Sequence, residues 1–193
     1  MRLSSVQVGK ARKLQAGGRT VLSAIGKQAL AGAVPVLPLG LLGDEQADLT
    51  VHGGLEKAIY AYPAEHYAFW RQARHTAGVT GIDDQFAHGS LGENLTLEGL
   101  LETDVWAGDV LRFADCELQV RLPREPCGKL NIALGYSGAV RAMAQSGFCG
   151  FYLSVLTPGS LRAGEAFELL PGKRSTSIPQ LFAAKMFKHL RGT

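Results

Sequence analysis

The residues that could carry chemistry fall in three short segments. The first is RLPREPCGKLN, Arg121 to Asn131. Cys127 stands there between Arg124 and Lys129, and neighbouring cations favour the thiolate, the form that attacks electrophiles and binds soft metals. Pro123 and Pro126 each fix φ and remove a backbone donor, so the segment reads as a stiff loop leaving the strand-like run ELQVRL. The same cysteine equally suits packing under a loop, because cysteine is among the most buried residue types. Cys116 and Cys149 lie inside strand-like runs, where packing is the better reading.

The second segment is DLTVHGGLEKAIYAYP. Two glycines after His52 allow unusual dihedrals and close approach of a ligand to backbone N–H groups, and Lys57 would add a point charge. A plain Gly-Gly turn with a solvated lysine explains the same residues. In the third, HGSLGENLTLEGL, Asn94 follows Gly92-Glu93 at a strand entrance, placed either to bond a phosphate or heterocycle or to cap the turn. Absent are CxxC, HExxH, GxGxxG, a Walker loop and G-x-S-x-G. No His/Cys cluster has zinc spacing. A metal here would therefore arrive inside an organic cofactor.

These segments need elements to hold them. With 24 glycines and eight prolines, the chain is punctuated into short β-rich runs: SSVQV, RTVLSAI, VPVLPLGLL, KAIYAY, NLTL, DVLRF, ELQVRL, FYLSVL and EAFELL. Many short strands at this spacing predict a barrel or sandwich. DVLRFADCELQV reads as a hairpin turning at Ala114-Asp115. VWAGDVLRF and LRAGEAFEL share the pattern apolar-x-Ala-Gly-acid-x-apolar-x-apolar, two strands used in similar ways. Helices are few. PAEHYAFWRQARHTAG presents Tyr67, Trp70, Ala73 and Ala77 on one face. SGAVRAMAQSG makes a short helix. SIPQLFAAKMFKHL begins with Ser177 as a cap and carries a stripe of Ile178, Leu181, Phe182, Met186 and Leu190.

The bulk composition sets outer limits. At 193 residues the chain suits one domain with at most a short appendage, and at 46% hydrophobic and 19% charged it reads as globular. The longest apolar stretch, Ala33 to Leu42, contains two prolines and a glycine, so no membrane span is expected. A net charge of +3 permits an anionic ligand and argues against a nucleic-acid protein. Three cysteines without an apolar leader point to reduced thiols in a cytoplasm.

Five blocks taken in order, LGLLGDEQADLTVHGGLEKAIYAYPAEHYAFW, LGENLTLEGL, VWAGDVLRF, RLPREPCGKL and CGFYLSVLTPG, resemble the MOSC domain family, in particular its YiiM-type branch. The family is named for the C-terminal domain of molybdenum cofactor sulfurases. The resemblance implies a mainly β fold, a closed or partly open β-barrel over residues 1–172. A few short helices accompany it, and 173–193 form a linker and one C-terminal amphipathic helix. It also implies a pocket for the molybdenum cofactor (molybdopterin), and reduction of N-hydroxylated compounds such as hydroxylaminopurine-type base analogues. The family's cysteine in PR-x-PC matches Cys127, which takes the role of molybdenum ligand. Arg124 and Lys129 would serve the cofactor's negative charge. Residue type adds Lys57 and Asn94 as cofactor-binding residues, with His52 and Asn131 beside them. Where related sequences often carry a basic residue, Phe148 and Cys149 stand instead.

No flavin, haem or nicotinamide motif is present, so the implied partners are a small N-hydroxylated substrate and an external electron-donor protein. The terminal helix has two places to dock, its own barrel or a second subunit, which makes a homodimer one expected state. Two rivals use the same residues. One is a sulfur carrier with a persulfide on Cys127, and the other a non-catalytic module that only binds the cofactor or an anion.

Overall fold

Runs of β-branched and aromatic residues between glycine turns do become strands, and the turns fix their order. A computed structural model of the chain describes residues 1–16, 19–47, 53–79 and 86–191. The elements begin with β1 (Arg2–Val8), β2 (Arg12–Ala16), β3 (Arg19–Ser23), β4 (Gln28–Ala29), β5 (Ala33–Leu37) and β6 (Gly40–Leu41). Then come β7 (Ile59–Pro63), α1 (Tyr67–Thr76), β8 (Leu95–Glu98), β9 (Val110–Arg112) and β10 (Glu117–Pro123). The chain closes with α2 (Gly128–Ala133), α3 (Ala139–Ser146), β11 (Phe151–Thr157), β12 (Gly159–Arg162), β13 (Glu168–Leu170) and α4 (Ile178–Arg191).

Eight strands form one sheet in the order β13-β9-β10-β11-β7-β8-β1-β4. Its neighbours pair antiparallel except β7 and β8, which run parallel. All five residues of β7 are buried, as a strand covered on both faces requires. β12, β5 and β6 make a second, small sheet, and β2 and β3 a separate hairpin. Of the expected closed or partly open barrel, the strand pairing does not show the closed form. Among the described residues no continuous ladder joins the two ends of the large sheet. They meet at an isolated bridge between Arg2 and Ala166, with Leu3 N–H on Glu165 O (2.8 Å), Gly164 N–H on Leu3 O (2.6 Å) and Phe167 N–H on Met1 O (3.2 Å). The fold is mainly β, with few helices.

The repeated Ala-Gly-acid pattern has a structural meaning. Asp109 N–H reaches Trp106 O at 3.1 Å, and Glu165 N–H reaches Arg162 O at 3.2 Å, at equivalent places in the two copies. Gly108 (φ 93°) and Gly164 (φ 91°) occupy the third turn position, where only glycine is at ease with positive φ. The two strands that follow, β9 and β13, pair with each other, and Phe113 packs on Phe167 with ring centroids 5.1 Å apart.

Helices brace the sheet. In α1 the inward residues are Tyr67, Trp70 and Arg74, whereas Ala77 is exposed, so the inner face is rotated from the one expected. A buried arginine defeats an apolar-periodicity reading; here the Arg74 Nε–H donates to Leu134 O at 3.0 Å. At α4, Ser177 Oγ accepts from Gln180 N–H (3.3 Å) while Gln180 Oε1 accepts from Ser177 N–H (2.9 Å), a reciprocal capping box. Ile178 and Phe182 are buried, and Ile178 N–H bonds Val105 O, so α4 lies against the sheet. No helix among the described residues is long and apolar enough to cross a membrane.

Candidate active site

β10 delivers the cysteine segment. The strand ends at Pro123, whose missing N–H suits a ladder's last residue, and the chain turns inward at Arg124, which is 6% exposed. The Arg124 guanidinium lies 4.8 Å from the centre of the Tyr60 ring and its Nη1 donates to Leu91 O. Burial works against this charge, but the Tyr60 and Tyr152 phenols and the Cys127 sulfur pull the other way and hold the proton on. Cys127 follows in extended backbone (φ −135°, ψ 163°), half-buried, immediately before α2, with its carbonyl accepting from Leu130 N–H at 2.9 Å.

The opposite wall comes from the GEN segment. Glu93 is fully buried and collects the Tyr67 O–H, Gly89 N–H (2.7 Å), Leu91 N–H (3.2 Å) and Thr96 O–H (3.0 Å). That web shapes the loop that offers Leu91 O to Arg124. Asn94, next along, is 3% exposed and its side chain makes three internal bonds. Its Oδ1 accepts from Tyr60 N–H (3.1 Å), and its Nδ2 donates to Gln7 O (3.2 Å) and to Asp44 Oδ2 (2.9 Å). Asp44 also takes Gly9 N–H at 2.7 Å and an ion pair from Lys27 at 2.5 Å, both partners' side chains under 8% exposed.

These walls enclose a cleft of about 90 Å³, lined by Lys27, Asp44, Lys57, Asn94, Arg124, Cys127 and Lys129, with Tyr60 and Tyr152 behind them. Five of the seven residues singled out from the sequence are thus brought together: Cys127, Lys57, Asn94, Arg124 and Lys129. Asn131 is not among the lining residues; its Oδ1 accepts from Val140 N–H at 2.9 Å, near the start of α3. His52 lies outside the described residues. Lys57 sits over the Tyr152 ring, 5.8 Å from its centre.

Lys27, Asp44, Tyr60 and Tyr152 had not been singled out. Asp44 and Tyr60 stand inside the long block that contains HGG and Tyr152 inside CGFYLSVLTPG, so order along those blocks was the available signal. Lys27 lies in AIGKQ, which has no motif. Cys116 and Cys149 are buried; burial drives the Cys116 thiol up to about 12, and burial likewise raises Cys149. Phe148 stacks on His66 with centroids 3.8 Å apart, and the His66 ring bonds Glu102 at 2.7 Å, outside the cleft. Among the described residues no group of three His, Cys, Asp or Glu side chains could hold a metal ion.

The MOSC domain matches residues 48–168. The chain is 38% identical over 171 residues to protein YiiM of Escherichia coli (strain K12), covering 89% of this chain and 74% of that one. It is 37% identical over 175 residues to YflK of Bacillus subtilis (strain 168), covering 90% and 76%. A protein named Reductase from Gibberella moniliformis matches at 34% over 169 residues, 87% of this chain but 29% of that longer one. Among solved structures, YiiM from Geobacillus stearothermophilus superposes with a TM-score of 0.74 at 31% identity, covering 97% of this chain and 84% of the other. With the match spanning more than half its length, the chain belongs to the MOSC domain family.

Proposed function

We propose that the cleft holds the molybdenum cofactor through Cys127 and that the protein is an oxidoreductase reducing N-hydroxylated compounds to amines. The observation that carries the reading is a half-buried cysteine in the same cleft as four cations, Lys27, Lys57, Arg124 and Lys129. The donor set fits the group. A thiolate is a soft ligand, and a phosphate-bearing pterin needs cations and N–H donors. The enclosed volume suits a phosphate rather than a whole pterin, so a group of that size would extend into the open mouth.

Each residue has work in this reading. Cys127 supplies the sulfur ligand, presented by a segment that Pro123 and Pro126 stiffen. Arg124, pinned between Tyr60 and Leu91 O, is a preorganised cation for the anionic end, and Lys57 and Lys129 add point charges nearer solvent. Asn94 holds Asp44 and through it Lys27. The cofactor, when bound, supplies the two-electron chemistry. An external electron-donor protein replenishes the electrons, and the small substrate enters by the open side. The similarity to a protein named Reductase supports the reaction class.

The test is expression in a host able to make the cofactor, followed by anaerobic assay of 6-hydroxylaminopurine with reduced methyl viologen. Adenine should appear in proportion to enzyme, and protein from a cofactor-deficient host should form none. Metal-loaded protein that forms no amine would refute the reductase reading and leave a binding module.

A further inference from the structure

We propose that the Lys27 ammonium binds the hydroxyl oxygen of the N-hydroxylated substrate and gives it a proton as the N–O bond breaks; this rests on the reductase reading above. The starting observation is a buried cation with donors to spare. The Lys27 side chain is 7% exposed and lines the same cleft as Cys127. An ammonium has three N–H donors. One is taken by Asp44 Oδ1 at 2.5 Å, and Lys27 makes no second hydrogen bond among the described residues. A buried donor left unmade costs free energy until a ligand or water takes it. Asp44 cannot turn to absorb more, because Gly9 N–H and the Asn94 amide fix both of its oxygens. Two N–H groups are left over for what the cleft binds.

The other donors of the cleft are less suited to give a proton. The Tyr60 O–H donates to Cys149 O at 2.8 Å. Arg124 gives one N–H to Leu91 O and lies on the Tyr60 ring; its other N–H groups can hold an anion, but a guanidinium does not release its proton. Lys57 and Lys129 are only half-buried, where water competes with any substrate oxygen.

The overall step balances as R–NH–OH + 2 e⁻ + 2 H⁺ → R–NH₂ + H₂O. The N–O bond breaks; one new O–H bond takes its proton from Lys27 and one new N–H bond takes its proton from solvent. The electrons come from a reduced electron-carrier protein, and Lys27 recovers its proton from water. Burial draws the ammonium down from the ordinary lysine value, Asp44 and Glu93 oppose that, and Arg124 adds to it. A lysine shifted downward gives up its proton more readily. Because the protonated form is required, turnover should fall as pH rises through that lowered value.

Calorimetry on the oxidised holoprotein, without reductant, compares 6-hydroxylaminopurine with adenine in wild type, Lys27→Met, Lys27→Arg and the double variant Lys27→Met/Asp44→Asn. Wild type and Lys27→Arg should prefer the N-hydroxy compound, and loss of the ammonium should cut that preference about tenfold or more. The double variant leaves no unpaired Asp44 charge, so it carries the test where Lys27→Met alone fails to fold. With reduced methyl viologen, Lys27→Arg should turn over about a hundredfold more slowly, with its alkaline limb lost. An unchanged preference in the double variant overturns the assignment and leaves the pair as a strut, while wild-type turnover keeps the reductase reading. Wild type that shows neither preference nor turnover overturns both.

Discussion

Replacing Asn94 probes the wall that orders the cleft. In Asn94→Ala the buried Tyr60 N–H and the Gln7 carbonyl lose their side-chain partner, and Asp44 Oδ2 loses one donor. Each buried group left unmade costs about 1–3 kcal/mol. Asp44 keeps Lys27 and Gly9 N–H, so the total should be about 3–4 kcal/mol, a large share of the roughly 5–15 kcal/mol of a typical domain. Asn94→Asp keeps the acceptor for Tyr60 but sets a second carboxyl where the amide now lies 2.9 Å from Asp44 Oδ2. Two such carboxyls cannot both ionise cheaply, so the new group holds its proton above the unfolded value of about 4. A raised carboxyl stabilises the folded state at low pH and loses that contribution as pH climbs through its folded value. The Asn94→Asp deficit against wild type should therefore grow between pH 4 and pH 7. Urea unfolding followed by tryptophan fluorescence measures both variants. Trp70 is a suitable reporter, fully buried with its indole N–H on Tyr62 Oη at 2.6 Å. An Asn94→Ala protein within about 0.5 kcal/mol of wild type, the range of a neutral surface change, would refute the role given to this amide. So would an Asn94→Asp deficit that shrinks toward neutral pH.

Two further outcomes follow from burial and backbone geometry. Desolvation raises Tyr60, Tyr62, Tyr67 and Tyr152 and, among the thiols, Cys116 and Cys149. The unfolded chain gives up these protons first, from about pH 8.5 upward, so the melting temperature should hold below that and fall beyond it. Lys27 acts in the opposite sense, and one group does not offset six. Gly150→Ala would set a Cβ 2.4 Å from Ala61 O at φ 62°, between β11 and β7. That carbonyl belongs to buried β7, and the Tyr60 and Tyr62 rings close in at 2.8 and 2.9 Å, so expression should yield insoluble protein or a stability loss of at least about 3 kcal/mol, read by the same urea titration.

Much of the strand framework was legible because period-2 burial and glycine turns act locally. DVLRFADCELQV pairs as a hairpin, Leu118 opposite Leu111, with the turn at Ala114-Asp115. The strands that sequence patterning missed are those without apolar alternation. β2 reads RKLQA and lies in a small separate hairpin, β4 is two residues long, and β12 reads GSLR. α2 was missed because GKLNIA is too short to show a period. Sheet closure was also illegible. Whether the ends at Arg2 and Ala166 make a ladder or a single bridge depends on register far apart in the chain. At the site, Cys127 and its cations were readable from local charge and proline spacing. The Lys27–Asp44 pair was not, since a lysine 17 positions away in an unremarkable run reveals its partner only once β4 pairs with β1 and the turn after β6 folds back on Gly9.

The central claim is that the Cys127 sulfur holds the metal group. Molybdenum per chain, measured by mass spectrometry alongside pterin fluorescence, compares wild type with Cys127→Ser from the same cofactor-making host. Soft-ligand chemistry predicts about one molybdenum per wild-type chain and near none in the variant, with unchanged unfolding curves. Equal metal in both proteins, or a stable added sulfur on Cys127 with no molybdenum, would contradict it.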